Sequence, residues 1–271
     1  MSSESIIRLG AFAAVFTVLA LLEVVSPKRN LTCPKAKRWF TNMVIVAMNP
    51  LFVRALFGVL PAGMAILASQ RQWGLLNNVN LAGWIKIAAG VIVLDMIIYL
   101  QHVLFHATPA LWRLHMVHHA DLDLDVTTGL RFHPFEIVVS MFIKLAAVAA
   151  LGAPAPAVLI FEVALNCTTM FNHSNIGMPE KLDSVLRLFV VTPDMHRVHH
   201  SVIIKETNSN YGFNFPWWDR VFGTYKAQPA RGHKDMMIGL SQFREESKVI
   251  SLRALIMPFT YGGGAIPINR H

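Results

Sequence analysis

The sequence predicts an all-α protein: a multi-pass bundle of transmembrane helices with a cytoplasmic helical cap that carries histidine boxes. Three observations predict it. Apolar residues make up 54% of the 271-residue chain and charged residues only 15%, against about 25% charged in an ordinary soluble domain. Several apolar runs approach the roughly 20 residues that a bilayer-spanning helix needs. The twelve histidines are not scattered; most gather in short motifs next to the ends of those runs.

The runs are taken in chain order. Ile6 to Val25 fits one span, with Arg8 and Glu23 near its ends. No small-residue cleavage site follows it, so it reads as an anchor and not as a removed signal peptide. Met43 to Ala68 is apolar but interrupted by Asn49, Pro50, Arg54 and Pro61. Proline removes a donor and clashes with the preceding turn, so this stretch is either one kinked helix or a broken hairpin. Leu81 to Leu104 is a long clean span. Ile137 to Leu151 and Ala155 to Phe171 are shorter and joined by the turn signal Gly152-Ala153-Pro154. At 1.5 Å per residue each covers only about 22–26 Å. They form a helical hairpin that crosses a thin region or re-enters.

Charge sets the expected orientation. Lys28, Arg29, Lys35, Lys37 and Arg38 follow the first span, whereas the loop near residues 70–80 holds only Arg71. By the positive-inside rule the first loop is cytoplasmic. Counting crossings then places residues 105–133, and everything after 172, on the same side. A net charge of +8 would suggest nucleic acid in a soluble protein; no separable basic domain exists here, which makes that reading the weakest. Two cysteines, Cys33 and Cys167, build neither a disulfide framework nor a thiolate metal site.

The histidine motifs read His102-Val-Leu-Phe-His106, His115-Met-Val-His118-His119, Asn172-His173-Ser174-Asn175 and His196-Arg-Val-His199-His200. At this histidine frequency one HxxHH pattern arises by chance roughly 0.02 times, so two of them are a strong signal. Residues three and four apart share a helix face. Neighbours such as His118 and His119 differ by about 100° around the axis and so address two ions lying close together. Nine imidazoles are too many for one ion and suit two. Imidazole favours Zn, Cu, Fe or Ni, and spacing alone does not choose iron over zinc.

These residues resemble the fatty acid hydroxylase/sterol desaturase superfamily of integral-membrane, non-haem di-iron enzymes. The resemblance runs from Asp95 to Tyr225. It includes Leu111-Trp112-Arg113-Leu114-His115, Asp125-Val-Thr-Thr-Gly129, Arg131-Phe-His-Pro-Phe-Glu136, Asn172-His-Ser-Asn175 and Trp218-Asp-Arg-Val-Phe-Gly-Thr-Tyr225. Residues 1–80 match only in being hydrophobic. The resemblance implies that His102, His106, His115, His118, His119, His173, His196, His199 and His200 bind two iron ions. One departure stands out: where some relatives have a further histidine, this chain has Thr169. His133, or a water held by Asn172 or Asn175, is a candidate to fill that place. The implied reaction is hydroxylation or desaturation of a lipid C–H bond with O₂. Its two electrons would come indirectly from NAD(P)H through a ferredoxin or cytochrome b5-like protein. The lipid would be an acyl chain, a sterol-like or hopanoid ring, or a carotenoid, entering from the bilayer. The expected organisation is an N-terminal transmembrane region over 1–80, a catalytic domain over 81–230 and a C-terminal cytoplasmic tail over 231–271.

Other readings compete. A non-catalytic metal-binding or transport protein would string its histidines along a transmembrane path, yet eight of these nine lie beyond the expected spans. A haem protein with axial histidine pairs leaves HxxHH unexplained and lacks an attachment motif. Several further residues carry expectations. Asp95 shares a helix face with Tyr99, His102 and His106; it either orients a ligand imidazole or bonds to a neighbouring helix. Asp121, Asp123 and Asp125 form a solvated acidic loop or accept from the histidines. Lys144 and Glu162, each nine residues from Ala153, should pair across the hairpin. The aromatics Phe213, Phe215, Trp217, Trp218, Phe222 and Tyr225 either pack at the interface and close the site or wall a lipid entrance. His133 is otherwise a cap for the next span, and His233 and His271 are expected to be solvated.

Overall fold

A computed structural model describes residues 3–260. Among these residues the chain is helical without strands, and five segments are long and apolar enough to cross a membrane. Helix α1 runs Ser3–Val25. Helix α2 is Lys35–Leu56 and α3 is Pro61–Gln70. The expected interruption is real and falls just before Pro61. Pro50 sits inside α2, and the chain leaves helical geometry only at Phe57. Pro61 then opens α3 at its first turn, where a missing N–H costs nothing, and Leu60 before it is extended as proline demands. Phe52 packs on Phe135 and Phe57 on Phe142, while Ala65 joins Val148 and Ala153 in one apolar cluster. Thus α2 and α3 run in the same direction along one neighbour and form one kinked element, not a hairpin.

Helix α4, Gly83–Ala107, carries His102 and His106 within its last turns. After Thr108 the chain turns into the short helix α5, Pro109–His119, which belongs to the cap. Helices α6, Pro134–Leu151, and α7, Ala155–His173, form the hairpin. Its corner is Gly152, left-handed at φ 67°, where a side chain would strike the carbonyl of Trp73. Both helices are longer than the apolar runs suggested, because Pro134 and His173 extend them into the cap. At 1.5 Å per residue they reach about 27–29 Å, close to the hydrocarbon thickness.

The cap is built from α5, the short helices α8, Glu180–Leu186, and α9, Pro193–His199, and the loops between them. The stretch after residue 230 packs into it: Leu240, Phe243, Val249, Ile250 and Met257 share a buried cluster with Trp112, Met116 and Val117 of α5. The lipid-side helices present exposed apolar residues outward, among them Leu21, Phe40, Trp84, Phe142 and Ile160. The chain is an integral membrane protein, all-helical, with its histidines gathered at one end of the bundle.

Candidate metal centre

Four elements bring the nine motif histidines together. The end of α4 supplies His102 and His106, and α5 supplies His115, His118 and His119. The end of α7 supplies His173, and α9 with the residue after it supplies His196, His199 and His200. Pro109 and Pro193 open the two short helices, and Thr192 Oγ1 caps the second by accepting from the Met195 N–H. All nine side chains are buried. They form two groups. His102, His106, His115, His119 and His199 make one; His118, His173, His196 and His200 make the other; within each, one nitrogen per residue lies within 4.8 Å of the rest. Each HxxHH motif therefore splits its adjacent pair between the groups, as the 100° offset predicts.

Four of the outer ring nitrogens are anchored. His102 Nδ1 donates to the Tyr211 carbonyl at 2.7 Å, His173 Nδ1 to the Thr169 carbonyl at 2.7 Å and His199 Nδ1 to the Ser209 carbonyl at 2.7 Å. His115 Nδ1 donates to Glu136 Oε1 at 2.6 Å. With Nδ1 protonated, Nε2 is left as the free donor atom, turned inward. The inner atoms crowd one another: Nε2 of His102 lies 3.0 Å from that of His115, and His106–His119, His118–His173 and His173–His196 pairs stand at 3.1 Å. Two nitrogens each about 2.1 Å from a shared ion, at right angles, are about 3.0 Å apart. Other inner or outer nitrogens, including His199 Nε2 and both of His200, have no partner in the protein. Burial pushes the cap imidazoles down, His115 to about 3 and His118, His119, His196, His199 and His200 well below the ordinary range, with repulsion between neighbouring rings adding to it in these last five. They are held neutral, which is the form that ligates. This donor set fits two transition-metal ions, iron included.

Asn172, Asn175, Asp95 and His133 have other partners. Asn175 latches the loop after α1: its Oδ1 accepts from the Arg29 N–H at 3.1 Å and its Nδ2 donates to the Arg29 carbonyl at 2.8 Å. Asn172 donates to the Phe213 carbonyl at 3.1 Å. Asp95 does not face an imidazole; its Oδ2 accepts from Trp218 Nε1 at 2.8 Å. His133 caps α6, accepting from the Phe135 N–H at 3.2 Å, and gives its other nitrogen to the Leu255 carbonyl at 3.1 Å. Thr169 lines the neighbouring cavity. His233 is mostly buried beside Asp194, not solvated, and His271 lies outside the described residues.

The acidic triplet corrects the sequence reading. Asp121, Asp123 and Asp125 are buried and neither meet solvent nor accept from histidines. They enclose Arg38, whose Nε and Nη2 reach the two Asp121 oxygens at 2.7 and 2.8 Å, while Nη1 reaches Asp125 Oδ2 at 2.6 Å. Burial alone would raise the Asp121 carboxyl, but Arg38 overrides it and holds it at about 2. Arg131 is likewise buried, donating to the carbonyls of Val117 and Val249 and to Asn42 Oδ1. Glu23 Oε1, at the end of α1, accepts the N–H groups of Val126 and Asn175. These groups fix the loop from 121 to 131 against the histidines. The only sequence hint of them was a polar series, Arg38 and Asn42, four apart at the head of an apolar run. Gly129 explains why that loop carries a glycine, since a Cβ there would lie 2.5 Å from the Thr169 carbonyl and 3.3 Å from His173 Nδ1.

Below the five-histidine group lies a cavity of about 270 Å³ between α2, α4, α6 and α7. His102 and His115 form its roof, with Phe105, Phe132 and Phe213 beside them. The aromatic cluster divides accordingly: Phe213 lines the cavity, Phe222 stacks on Tyr99 with ring centroids 5.4 Å apart, and Trp217 faces outward.

Comparison with known proteins accords with this geometry. The chain is 31% identical over 153 residues to ornithine lipid hydroxylase OlsE of Rhizobium tropici, which spans 56% of this chain and 45% of that protein. It is 26% identical over 171 residues to methylsterol monooxygenase 2-2 of Arabidopsis thaliana, spanning 62% and 64% respectively. It is 29% identical over 150 residues to alkylglycerol monooxygenase of Homo sapiens, spanning 54% and 31%. The chain thus covers less than two thirds of each of these relatives. No solved structure matches it. The family model for fatty acid hydroxylase matches residues 87–224, just over half of the chain and the stretch that carries all nine clustered histidines, so the chain belongs to the fatty acid hydroxylase family.

Proposed function

We propose that this chain is a membrane-bound oxidoreductase that binds two irons through His102, His106, His115, His119 and His199 and through His118, His173, His196 and His200. It uses O₂ and two external electrons to hydroxylate or desaturate a lipid C–H bond. One observation carries the reading: two adjoining groups of buried, neutral imidazoles sit directly above a cavity enclosed by membrane helices. The relatives' names, hydroxylase and monooxygenase, support the same class of chemistry. The histidines form one closed cluster at the bundle's end and no path through it, which favours an enzyme over a metal carrier.

The chemistry that iron supplies when bound is reductive activation of O₂ toward a C–H bond. In hydroxylation one oxygen atom enters the substrate and the other leaves as water, with two electrons and two protons taken up. The protein's own part is positioning. Carbonyl and carboxylate acceptors on Nδ1 fix the rings of His102, His115, His173 and His199 so that Nε2 points inward. The packed cap excludes water from the cluster, and the cavity presents a lipid segment to His102 and His115 from the membrane side. The cap is placed on the cytoplasmic side. The basic loop after α1 supports this, since it lies against the cap, with Lys28 Nζ 2.6 Å from Asp194 Oδ2. An acidic surface on a ferredoxin or cytochrome b5-like donor would suit such a face.

The test is metal content of the purified protein by elemental mass spectrometry, with Mössbauer spectroscopy of iron-57-labelled material. Two coupled, non-haem irons per chain are expected. Stoichiometric zinc after growth in iron-rich medium would overturn the proposal.

A further inference from the structure

The cavity under the histidines is not lined like a slot for hydrocarbon. Glu136, Ser140 and Lys144 lie on one face of α6 at successive turns and all line it, together with Asn49 of α2 and Gln101 of α4. Polar side chains at this depth of a membrane bundle are expensive and mark function. Three of them are left with an acceptor unmet. Asn49 is 8% exposed and Glu136 5%. Asn49 Nδ2 donates to the Phe132 carbonyl at 3.3 Å, so its amide orientation is fixed and Oδ1 is the atom without a partner. Glu136 spends Oε1 on His115, and Oε2 has no partner. Gln101 bonds Ser140 at 3.1 Å, again leaving an oxygen over. Lys144, the one cation in the lining, is already held by Glu162 Oε1 at 2.9 Å. The wall therefore offers acceptors and no free cation.

We propose that the cavity recognises a lipid segment carrying hydrogen-bond donors, hydroxyl or amide N–H, close to the carbon that reacts, and that Asn49 with Gln101 is the recognition pair. A plain methylene chain or a carotene hydrocarbon would bury these oxygens unpaired. A site built to hydrogen-bond a substrate group rejects the analogue lacking it, by about tenfold or more per bond. Asn49 lies outside the stretch that matches the family and Gln101 inside it, so the N-terminal helices supply one half of the pair. The inference takes the cavity as the substrate site, and so rests on the function proposed above.

The test is binding, which needs neither iron nor turnover. Full-length detergent-purified protein is offered an equimolar mixture of octadecane-1,2-diol and its dimethyl ether, and retained lipid is counted by native mass spectrometry. At least tenfold preference for the diol is expected. Asn49→Leu and Gln101→Leu should each lower that preference about tenfold while leaving ether binding unchanged. Equal retention of both lipids by the wild-type protein would overturn the proposal, and that comparison stands even if a variant fails to fold. A diol preference unaltered in both variants would overturn the residue assignment. Loss of the iron result with the diol preference intact would instead sink the proposed reaction alone.

Discussion

Replacing Arg38 with leucine should unfasten the histidine site from a distance. The guanidinium is fully buried and meets both Asp121 oxygens at 2.7 and 2.8 Å, Asp125 Oδ2 at 2.6 Å and the Asp123 carbonyl at 2.8 Å. Leucine keeps the apolar stem and strands two buried carboxylates. Removing one partner of a buried ion pair destabilises by roughly 3–5 kcal/mol. Asp121 keeps a bond from Thr128 Oγ1 and Asp125 keeps two from Thr127, which argues for the lower end of that range. About 3 kcal/mol lowers the melting temperature by roughly 6–12 °C in a protein of this size. Because Asp121 begins two residues after His119, bound iron should fall as well. The assay is thermal unfolding of the detergent-purified protein with metal analysis of the same samples, and Lys37→Leu on the exposed neighbour as control, expected within about 0.5 kcal/mol of wild type. A melting temperature for Arg38→Leu equal to that of the control would refute the clamp.

Four further outcomes follow from the same geometry. Asp219, buried beneath the N–H groups of Tyr211 and Gly212, is raised by burial to about 6 despite bonds from those groups and Thr224. A carboxyl with a raised folded pKa binds protons more tightly folded than unfolded, so stability should fall by about 3 kcal/mol as pH rises from about 4 to about 6; unfolding titrations should show that slope, and Asp219→Asn should flatten it. Glu162 meets both Lys144 at 2.9 Å and Arg8 at 2.7 Å, so Glu162→Leu, which strands Lys144 and leaves Arg8 only Glu4, should lower thermal stability more than Lys144→Leu, which leaves Glu162 one partner; the reverse order would dismiss the triad. His118→Ala and His199→Ala each remove a proposed ligand from a different group and should abolish turnover and lower bound iron by at least one per chain, while membrane insertion on extraction and fractionation stays normal. Gly129→Ala should lower iron content several-fold in metal analysis of purified protein, because its methyl would force the Thr169 carbonyl away from His173; iron content unchanged would show that the loop yields without cost.

The sequence made some of this legible and hid the rest, for physical reasons. Helix ends and spans follow from local rules, and the spacing of His115, His118 and His119 encodes on its own which face each ring takes. Of the four expected interruptions only Pro61 marks the break at 57–60; Pro50 stays inside α2 because a lipid-buried helix tolerates an interior proline more readily than a water-exposed one. Arg38 reads in one dimension as a topogenic charge near a membrane. Its partners are 83 to 87 residues away, so nothing local distinguishes it from Lys37. The same distance hides the outer acceptors. Tyr211, Ser209 and Thr169 act through backbone carbonyls, and any residue type supplies a carbonyl. Glu136 was visible as the end of the Arg131–Glu136 motif; only the fold shows His115 in its reach. The ion pair across the hairpin was predictable because a tight turn makes depth a matter of counting, whereas Arg8 arrives from another helix and joins it unannounced.

The division of labour between the matched and unmatched parts of the chain follows from where buried charge is neutralised. The nine clustered histidines all lie within residues 87–224, yet the loop that follows His119 is held by Arg38, Asn42 and Glu23, all from α1 and α2. A carboxylate-rich loop cannot be buried alone; the cation that permits it must come from another element. The N-terminal helices are thus a condition for the site and not a detachable anchor. They also carry Asn49 into the cavity wall. A chain that keeps the histidine boxes while changing α2 would retain the metal chemistry only if it preserved Arg38 and Asn42, and it would be free to alter the lipid it accepts through Asn49. Exchanging residues 46–57 with those of a relative should therefore move substrate preference without emptying the metal site, whereas an exchange that includes Arg38 and replaces it should lose both.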